Sequence, residues 1–138
     1  MTTTLTDFLL ARIAEDEAVA RKAAADHGRE HWAVGGGDEY VYPDPPPGNS
    51  YVAVGPWDGG IGPAAAHIAR HDPARVLAEC EKNRRIVELH NRAHECSTLR
   101  DGEVDNCTWC LDGDECTTLR LLALPYAEHA DFDPAWRP

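Results

Sequence analysis

Three of the five cysteines in this 138-residue chain fall within ten residues, CTWCLDGDEC, at positions 107–116. Cys107 and Cys110 form a C-x2-C pair, whose thiolates can occupy two corners of one tetrahedral zinc ion at about 2.3 Å each. Cys116 supplies a third thiolate, and the helix predicted to begin after it favours the negative charge through its free backbone N–H groups. The spacing therefore predicts a metal site, which restricts how this part of the chain can fold.

The fourth ligand of this site has more than one candidate in the sequence. Cys96 is the simplest choice and would complete a set of four cysteines. His94 or His90 would instead give three cysteines and one histidine, which is an equally familiar zinc environment. Either set consists only of protein ligands and leaves no position for water, so the predicted ion is structural and not catalytic.

The composition of the segment gives the ion a physical role. Residues 96–116 are predicted to be a cysteine-rich loop with almost no apolar side chains to offset the entropy that is lost on ordering. A bound ion would supply that free energy. An iron–sulfur cluster and ordinary thiols without a metal are the alternatives. If one protein ligand were missing, the metal could activate a bound water molecule. Glu95, Asp105 or Glu115 could then act as the base, and the protein would be a hydrolase.

An amphipathic helix is predicted over residues 5–28. Thr4 or Thr6 can cap its N-terminus, and Gly28 can end it at the C-terminus. Apolar residues recur near helical spacing along this segment at Leu5, Leu9, Ile13 and Ala20. This stripe must be buried against another part of the chain.

Residues 31–60 predict a small antiparallel sheet of two or three strands. The runs HWAV, EYVY and YVAV are rich in valine and tyrosine and are separated by GGGD and PDPPPGNS, as strands joined by turns are. The aromatic residues of this region are interpreted as core side chains under two covering helices, and a ligand-binding aromatic face is the alternative. They are Trp32, Tyr40, Tyr42, Tyr51 and Trp57.

A long helix is predicted over residues 72–95, with Asp72 as its N-cap and Pro73 at its first position. Its core-facing stripe ends in two histidines that lie one turn apart, as metal ligands on a helix often do. The stripe consists of Val76, Cys80, Val87, His90 and His94. Cys80 is interpreted as a small buried hydrophobe.

The remaining segments complete an α+β fold. His67 and His71, just before the long helix, are expected to pack and hydrogen-bond at that corner of the fold. Residues 117–125 are predicted to form a short helix, and Asp133 can cap a last turn. The predicted order of elements is typical of the α+β class: helix, small sheet, long helix, cysteine-rich loop and short helix.

The length and the N-terminal residues predict the organisation and the compartment. The chain has the size of one domain, 1–138, with one modest core. The opening MTTTLTDFLL lacks the features of a signal peptide, and no apolar stretch approaches bilayer length. We therefore expect a cytoplasmic protein without membrane contact. Reducing conditions there disfavour structural disulfides, which favours metal binding by clustered cysteines.

The formal net charge of −11 restricts the class of partner. A nucleic-acid surface needs a basic patch that displaces counterions from phosphates. The basic residues of the middle segment are instead interspersed with Glu79, Glu81 and Glu88 at helical spacing, which is typical of a solvated ion-pair face. No nucleic-acid partner is expected, whereas an acidic protein can bind a basic protein partner.

Three segments resemble a family of short actinobacterial and phage proteins of unknown function: DFLLARIAEDEAVAR, HIARHDPARVLAECEKNRRIVELH and TLRLLALPYAEHADFDPAW. The resemblance covers nearly the whole chain. It implies that the first helix, the small sheet and the long helix belong together in a cytoplasmic accessory protein with no assigned activity. It also implies that the metal is an optional staple, since some members lack the cysteines.

A second resemblance is confined to the cysteines. Cys107-x2-Cys110-x5-Cys116, with Cys96 upstream and an arginine–leucine helix downstream, is similar to the four-cysteine pattern of WhiB-like regulators, which hold a [4Fe–4S] cluster. It implies a redox-responsive regulator as the alternative to a zinc protein. The gap from residue 96 to residue 107 is shorter than in that family, and the glycine–tryptophan turn and basic tail are absent from the segment that follows.

The sequence as a whole predicts a small zinc-stapled protein that acts by binding a protein partner and is not an enzyme. The predicted zinc ligands are Cys96, Cys107, Cys110 and Cys116, with His94 or His90 as the reserve fourth ligand. An iron–sulfur regulator and a metal-dependent hydrolase are the alternatives.

Overall fold

A computed structural model describes residues 3–55, 60–91, 97–100, 103–106 and 116–138, with residues 97–100 and 103–106 described by their backbone alone. Two compact units make up the chain: a terminal unit of Met1–Ala14 with Glu81–Pro138, and a central unit of Glu15–Cys80. Each unit has helical residues and an antiparallel sheet, so the predicted α+β class is confirmed. The single domain over 1–138 stays a prediction.

The first helix, α1, spans Leu5–His27, as predicted. Thr4 is its N-cap, because the Thr4 hydroxyl accepts the backbone N–H of Asp7 at 3.1 Å and donates to the Asp7 carboxylate at 2.7 Å. Gly28 ends the helix with a φ of +70°, which side chains disfavour. All members of the predicted stripe are buried: Leu5, Leu9, Ile13 and Ala20.

The core of the terminal unit is built around Phe8, whose side chain is 2% exposed. Its ring centroid lies 5.1–6.3 Å from the centroids of Tyr126, His129, Phe132 and Trp136. Trp136 belongs to a 3-10 turn, Pro134–Trp136, that Asp133 caps as predicted, by accepting the Ala135 N–H at 2.9 Å. The start of α1 and the last turn of the chain therefore share one aromatic cluster.

The predicted small sheet is present in the central unit. Its strands are β1, Trp32–Gly35, β2, Tyr40–Pro43, and β3, Ala53–Val54, and they pair antiparallel in the order β1-β2-β3. The register places Tyr42 opposite Ala33 and Tyr40 opposite Gly35. The prediction of short antiparallel strands, made from short apolar runs with turn residues between them, is therefore confirmed.

The interpretation of the sheet tyrosines as core residues was wrong. Val41 and Pro43 of β2 are fully buried, whereas Tyr40 and Tyr42 are only partly buried and Tyr51 is 48% exposed. Because side chains alternate along a strand, the valine and the proline take the buried face and the tyrosines take the other. Trp57 lies outside the described residues.

Two helices follow the sheet, of which the first was not predicted. This helix, α2, spans Pro63–Arg70, with proline near its start and three alanines after it, which are helix-favouring signals. The second, α3, spans Pro73–His90 and begins where predicted. It ends at His90 and not near residue 94 or 95. Val87 is its last buried residue and Leu89 is 67% exposed, so a longer helix would gain little from packing.

The cap of α3 also joins it to the sheet of the central unit. One carboxylate oxygen of Asp72 accepts the Arg75 backbone N–H at 2.9 Å, which makes Asp72 the predicted N-cap. The other oxygen accepts the Trp32 N–H at 3.3 Å and lies 3.4 Å from His31 Nδ1. Asp72 is 8% exposed, so its hydrogen bonds are largely shielded from water.

We expect Asp72→Ala to lower the free energy of unfolding by about 1–2 kcal/mol, because it removes a buried cap. Asp72→Asn keeps an acceptor oxygen and is expected to lose less. Urea unfolding of the two variants measures both values. An alanine variant as stable as the parent would contradict the assigned role of this carboxylate.

The predicted cysteine-rich loop, 96–116, contains two strands that were not predicted. The strands, β4, Ser97–Arg100, and β5, Glu103–Asn106, pair antiparallel. Asp101 and Gly102 stand between them in the sequence, and Asp-Gly is a strong hairpin signal that could have predicted this pair. The predicted short helix is α4, Thr117–Ala123, followed by a 3-10 turn, Leu124–Tyr126.

Candidate metal centre

Two of the predicted metal ligands, His90 and Cys116, lie among the described residues, and the fold brings them together. His90 is the last residue of α3, and Cys116 is the N-cap residue of α4. The Cys116 Sγ lies 3.6 Å from His90 Nδ1, although the two residues are 26 positions apart in the chain.

The local backbone leaves the Cys116 thiol available to this partner. Cys116 is in an extended conformation, with φ −70° and ψ 113°, and its side chain makes no capping hydrogen bond to α4. Its carbonyl accepts the Arg120 N–H at 3.0 Å. The side chain is 0% exposed. The thiol is therefore buried beside the imidazole and is not used to cap the helix.

The separation of the two side chains fits two ligands of one zinc ion. With Zn–S of about 2.3 Å, Zn–N of about 2.05 Å and a tetrahedral angle between them, the two ligand atoms stand roughly 3.6 Å apart. The observed distance from Sγ to Nδ1 is 3.6 Å. The observed distance is therefore compatible with two ligands of one zinc ion.

The same distance also fits a direct hydrogen bond between the thiol and the imidazole. A cysteine beside a histidine can in addition be a catalytic nucleophile. Such a cysteine has to be reached by its substrate, whereas Cys116 is completely buried. The burial favours a structural role for the pair over nucleophilic catalysis.

Most of the predicted ligand set lies outside the described residues, namely Cys96, Cys107, Cys110 and the reserve ligand His94. The candidate bases Glu95 and Glu115 lie there as well, and the Asp105 side chain is not described. In the part of the chain that the structure describes, no three His, Cys, Asp or Glu side chains converge on a possible cation position. The ligand set therefore stays a prediction.

Three other residues that were considered from the sequence lie among the described residues: Cys80, His67 and His71. Cys80 is 5% exposed, as predicted for a small buried residue. The rings of His67 and His71 do pack together, with centroids 4.6 Å apart, but both side chains are exposed at the surface.

The predicted ion-pair face of α3 is present. Arg75 Nε lies 2.9 Å from the Glu79 carboxylate, and Arg85 Nε lies 2.7 Å from the Glu81 carboxylate. The hydrogen bond and charge of Glu81 raise the pKa of Arg85. None of the helices in the described ranges is both long enough and apolar enough to cross a membrane.

One buried polar residue, Arg12, was missed by the sequence analysis. Its side chain is 8% exposed, and its guanidinium lies 5.3 Å from the Phe8 ring centroid. Its Nη1 contacts both nitrogens of the His129 ring and lies 2.7 Å from Nδ1. The signal was available, because Arg12 stands one turn after Phe8 on the buried side of α1.

Comparison with known proteins identifies a family but no characterised relative. No curated protein and no solved structure shows a significant match to the chain. One family model matches residues 2–138, which is nearly the whole sequence. The chain that carries the His90–Cys116 pair therefore belongs to DUF6221, a family of unknown function.

Proposed function

We propose that the chain is a non-catalytic, zinc-stapled protein that acts in the cytoplasm by binding a protein partner. The observation that supports the zinc ion is the distance of 3.6 Å between Cys116 Sγ and His90 Nδ1. A buried thiol and an imidazole at this distance fit two adjacent positions of a zinc tetrahedron.

The proposed ligands are Cys107, Cys110 and Cys116 with His90 as the fourth. The C-x2-C pair supplies two thiolates from one short loop, and the described pair supplies the other two ligands. Cys96 and His94 are the competing fourth ligands. In every case, four protein ligands leave no coordination position for a reacting water, which supports binding over catalysis.

The test is elemental analysis of the full chain, purified without oxygen and without a histidine tag, together with its visible absorption spectrum. We expect about one zinc ion per chain and no visible absorption. The double variant Cys107→Ser, Cys110→Ser is expected to lose the zinc, because two of its four ligands are removed. Iron with sulfide and a visible absorption band would overturn zinc in favour of the iron–sulfur alternative.

The fourth ligand is tested in the same assay by single variants. After dialysis against a chelator, His90→Ala is expected to retain clearly less zinc than the parent, because the loss of one of four ligands weakens binding by about 100-fold. Cys96→Ser and His94→Ala are expected to retain as much zinc as the parent. Cobalt substituted for zinc gives a visible spectrum whose thiolate-to-metal charge-transfer intensity rises with the number of cysteine ligands. An intensity typical of four thiolates would assign the position to Cys96. Zinc retained in His90→Ala without that intensity would assign it to His94, and either result would contradict the proposed pair.

A further inference from the structure

The sheet of the central unit presents a row of tyrosines on the face opposite its buried side chains. Tyr40 and Tyr42 alternate along β2 with the buried Val41 and Pro43. Tyr51, which precedes β3, joins them, with its ring centroid 5.0 Å from that of Tyr40. The centroids of Tyr40 and Tyr42 are 6.0 Å apart. The three rings therefore form one continuous aromatic surface, which we call the tyrosine face.

Small residues on the neighbouring strand make room for these rings. Gly35 and Ala33 of β1 stand opposite Tyr40 and Tyr42. A Cβ atom on Gly35 would approach Tyr40 Cε2 to 2.4 Å, which is closer than any real contact. The Tyr40 ring therefore lies directly over the backbone of β1, and its position depends on the glycine there.

The tyrosine face forms one wall of an open groove of about 340 Å³. The other wall comes from the proline-rich segment after β2, through Pro46, Gly48, Asn49 and Ser50. Arg29 donates to the Pro45 carbonyl at 3.1 Å and thereby holds this wall. Every lining residue in the described part of the chain is uncharged.

The groove offers hydrogen-bond donors as well as ring surfaces. The hydroxyls of the three tyrosines and the side chains of Asn49 and Ser50 line the groove. They can therefore donate to a ligand that carries carbonyl oxygens. A ligand that suits the groove has apolar rings or ridges and a regular series of acceptors.

A polyproline II helix has these two properties. It makes no internal hydrogen bonds, so its carbonyls are free, and its proline rings fit between aromatic side chains. Exposed carboxylates flank the tyrosine-bearing strand at both ends, with Asp38 and Glu39 before it and Asp44 after it. The residues that line the groove are thus uncharged, and the exposed residues next to its tyrosine-bearing strand in the chain are acidic, which complements prolines flanked by arginine or lysine.

We propose that the tyrosine face binds a proline-rich peptide segment with flanking basic residues. The proposal rests on the proposed binding function, for which it names the partner, but its site lies in the central unit and needs no zinc ligand.

The test measures fluorescence polarisation of a fluorescein-labelled peptide in which arginines flank a run of prolines, titrated with the full chain. We expect saturable binding that weakens as salt concentration rises. Tyr51→Ala is expected to weaken it at least roughly tenfold, because tyrosines at the centre of an interface carry much of the affinity. Leu89→Ala, at an exposed residue of the terminal unit, is the matched control and is expected to bind as the parent does.

Two further variants distinguish a loss of peptide binding from a loss of folding. Tyr51→Phe retains the ring and removes only the hydroxyl, so it is expected to bind more tightly than Tyr51→Ala. The double variant Asp38→Asn, Asp44→Asn is expected to reduce the salt dependence while leaving the groove intact. Circular dichroism of each variant verifies its fold before the titration.

Several outcomes would overturn the proposal. The first is that the proline peptide shows no saturable binding. The second is that a peptide in which glycine and serine replace the prolines binds as tightly as the proline peptide. The third is that Tyr51→Ala binds the peptide as tightly as the parent does. Displacement of the peptide by a neutral oligosaccharide such as maltohexaose would assign the groove to sugars instead. Peptide binding that persists in Cys107→Ser, Cys110→Ser supports this inference even if zinc is absent, and zinc without peptide binding rejects this inference alone.

Discussion

Cys116→Ala is expected to weaken zinc binding by about 100-fold and to lower the free energy of unfolding in saturating zinc by about 3 kcal/mol. The binding free energy of a structural zinc ion is about 10–16 kcal/mol, so each of its four ligands contributes roughly 3 kcal/mol to binding. Competition with a chromogenic chelator measures the affinity, and urea unfolding with and without zinc measures the stability.

Cys80→Ala is the matched control for this prediction. Cys80 is a second buried cysteine, 5% exposed, and it stands outside the proposed ligand set. Its replacement is expected to leave zinc affinity unchanged and to cost about 1 kcal/mol of stability through lost packing. If Cys116→Ala kept the zinc affinity of Cys80→Ala, the Cys116 thiol would be a packing residue and the zinc proposal would fail at its best-described ligand.

Phe8→Ala is expected to lower the free energy of unfolding by about 3–5 kcal/mol, which is the range for buried aromatic residues. The physical reason is that Phe8 is 2% exposed and its ring contacts four aromatic side chains: Tyr126, His129, Phe132 and Trp136. The loss also uncovers Arg12, whose guanidinium lies 5.3 Å from the Phe8 ring centroid. Chemical denaturation followed by tryptophan fluorescence measures the change.

Leu10→Ala on the same helix is the control for Phe8→Ala. Leu10 is 37% exposed, and alanine favours the helix, so the expected change is small, within about 1 kcal/mol. Phe8→Leu keeps part of the apolar volume and is expected to fall between the two. Equal stabilities of Phe8→Ala and Leu10→Ala would mean that the aromatic cluster does not contribute to the cooperative fold.

The elements that sequence analysis predicted well are those with strong local signals. The start of α1 follows from Thr4, its end from Gly28, and the start of α3 from Asp72 with Pro73. A capping side chain or a left-handed glycine acts within a few residues and needs no distant partner. The two strands that were not predicted, β4 and β5, also had a local signal in Asp101-Gly102. This segment was instead interpreted as a metal-binding loop.

The sequence supplies the residue types of the candidate metal centre but not their arrangement, and the metal itself stays a prediction. The cysteine spacing indicated a metal, and the stripe of α3 placed His90 toward the core. Nothing in the sequence ranked His90 above Cys96 as the partner of Cys116. The end of α3 at His90 and the distance of 3.6 Å place His90 beside Cys116, whereas Cys96 lies outside the described residues.

The sequence by itself determined the helix caps, the alternation of β2 and the apolar stripe of α1, because hydrogen bonding and side-chain direction are local properties of the backbone. Tertiary structure alone decided which face of β2 is buried, so that valine and proline lie inside and the tyrosines line a groove. It also decided that Arg12 is buried beside His129. Burial depends on which surfaces meet, and residues far apart in the chain settle that together.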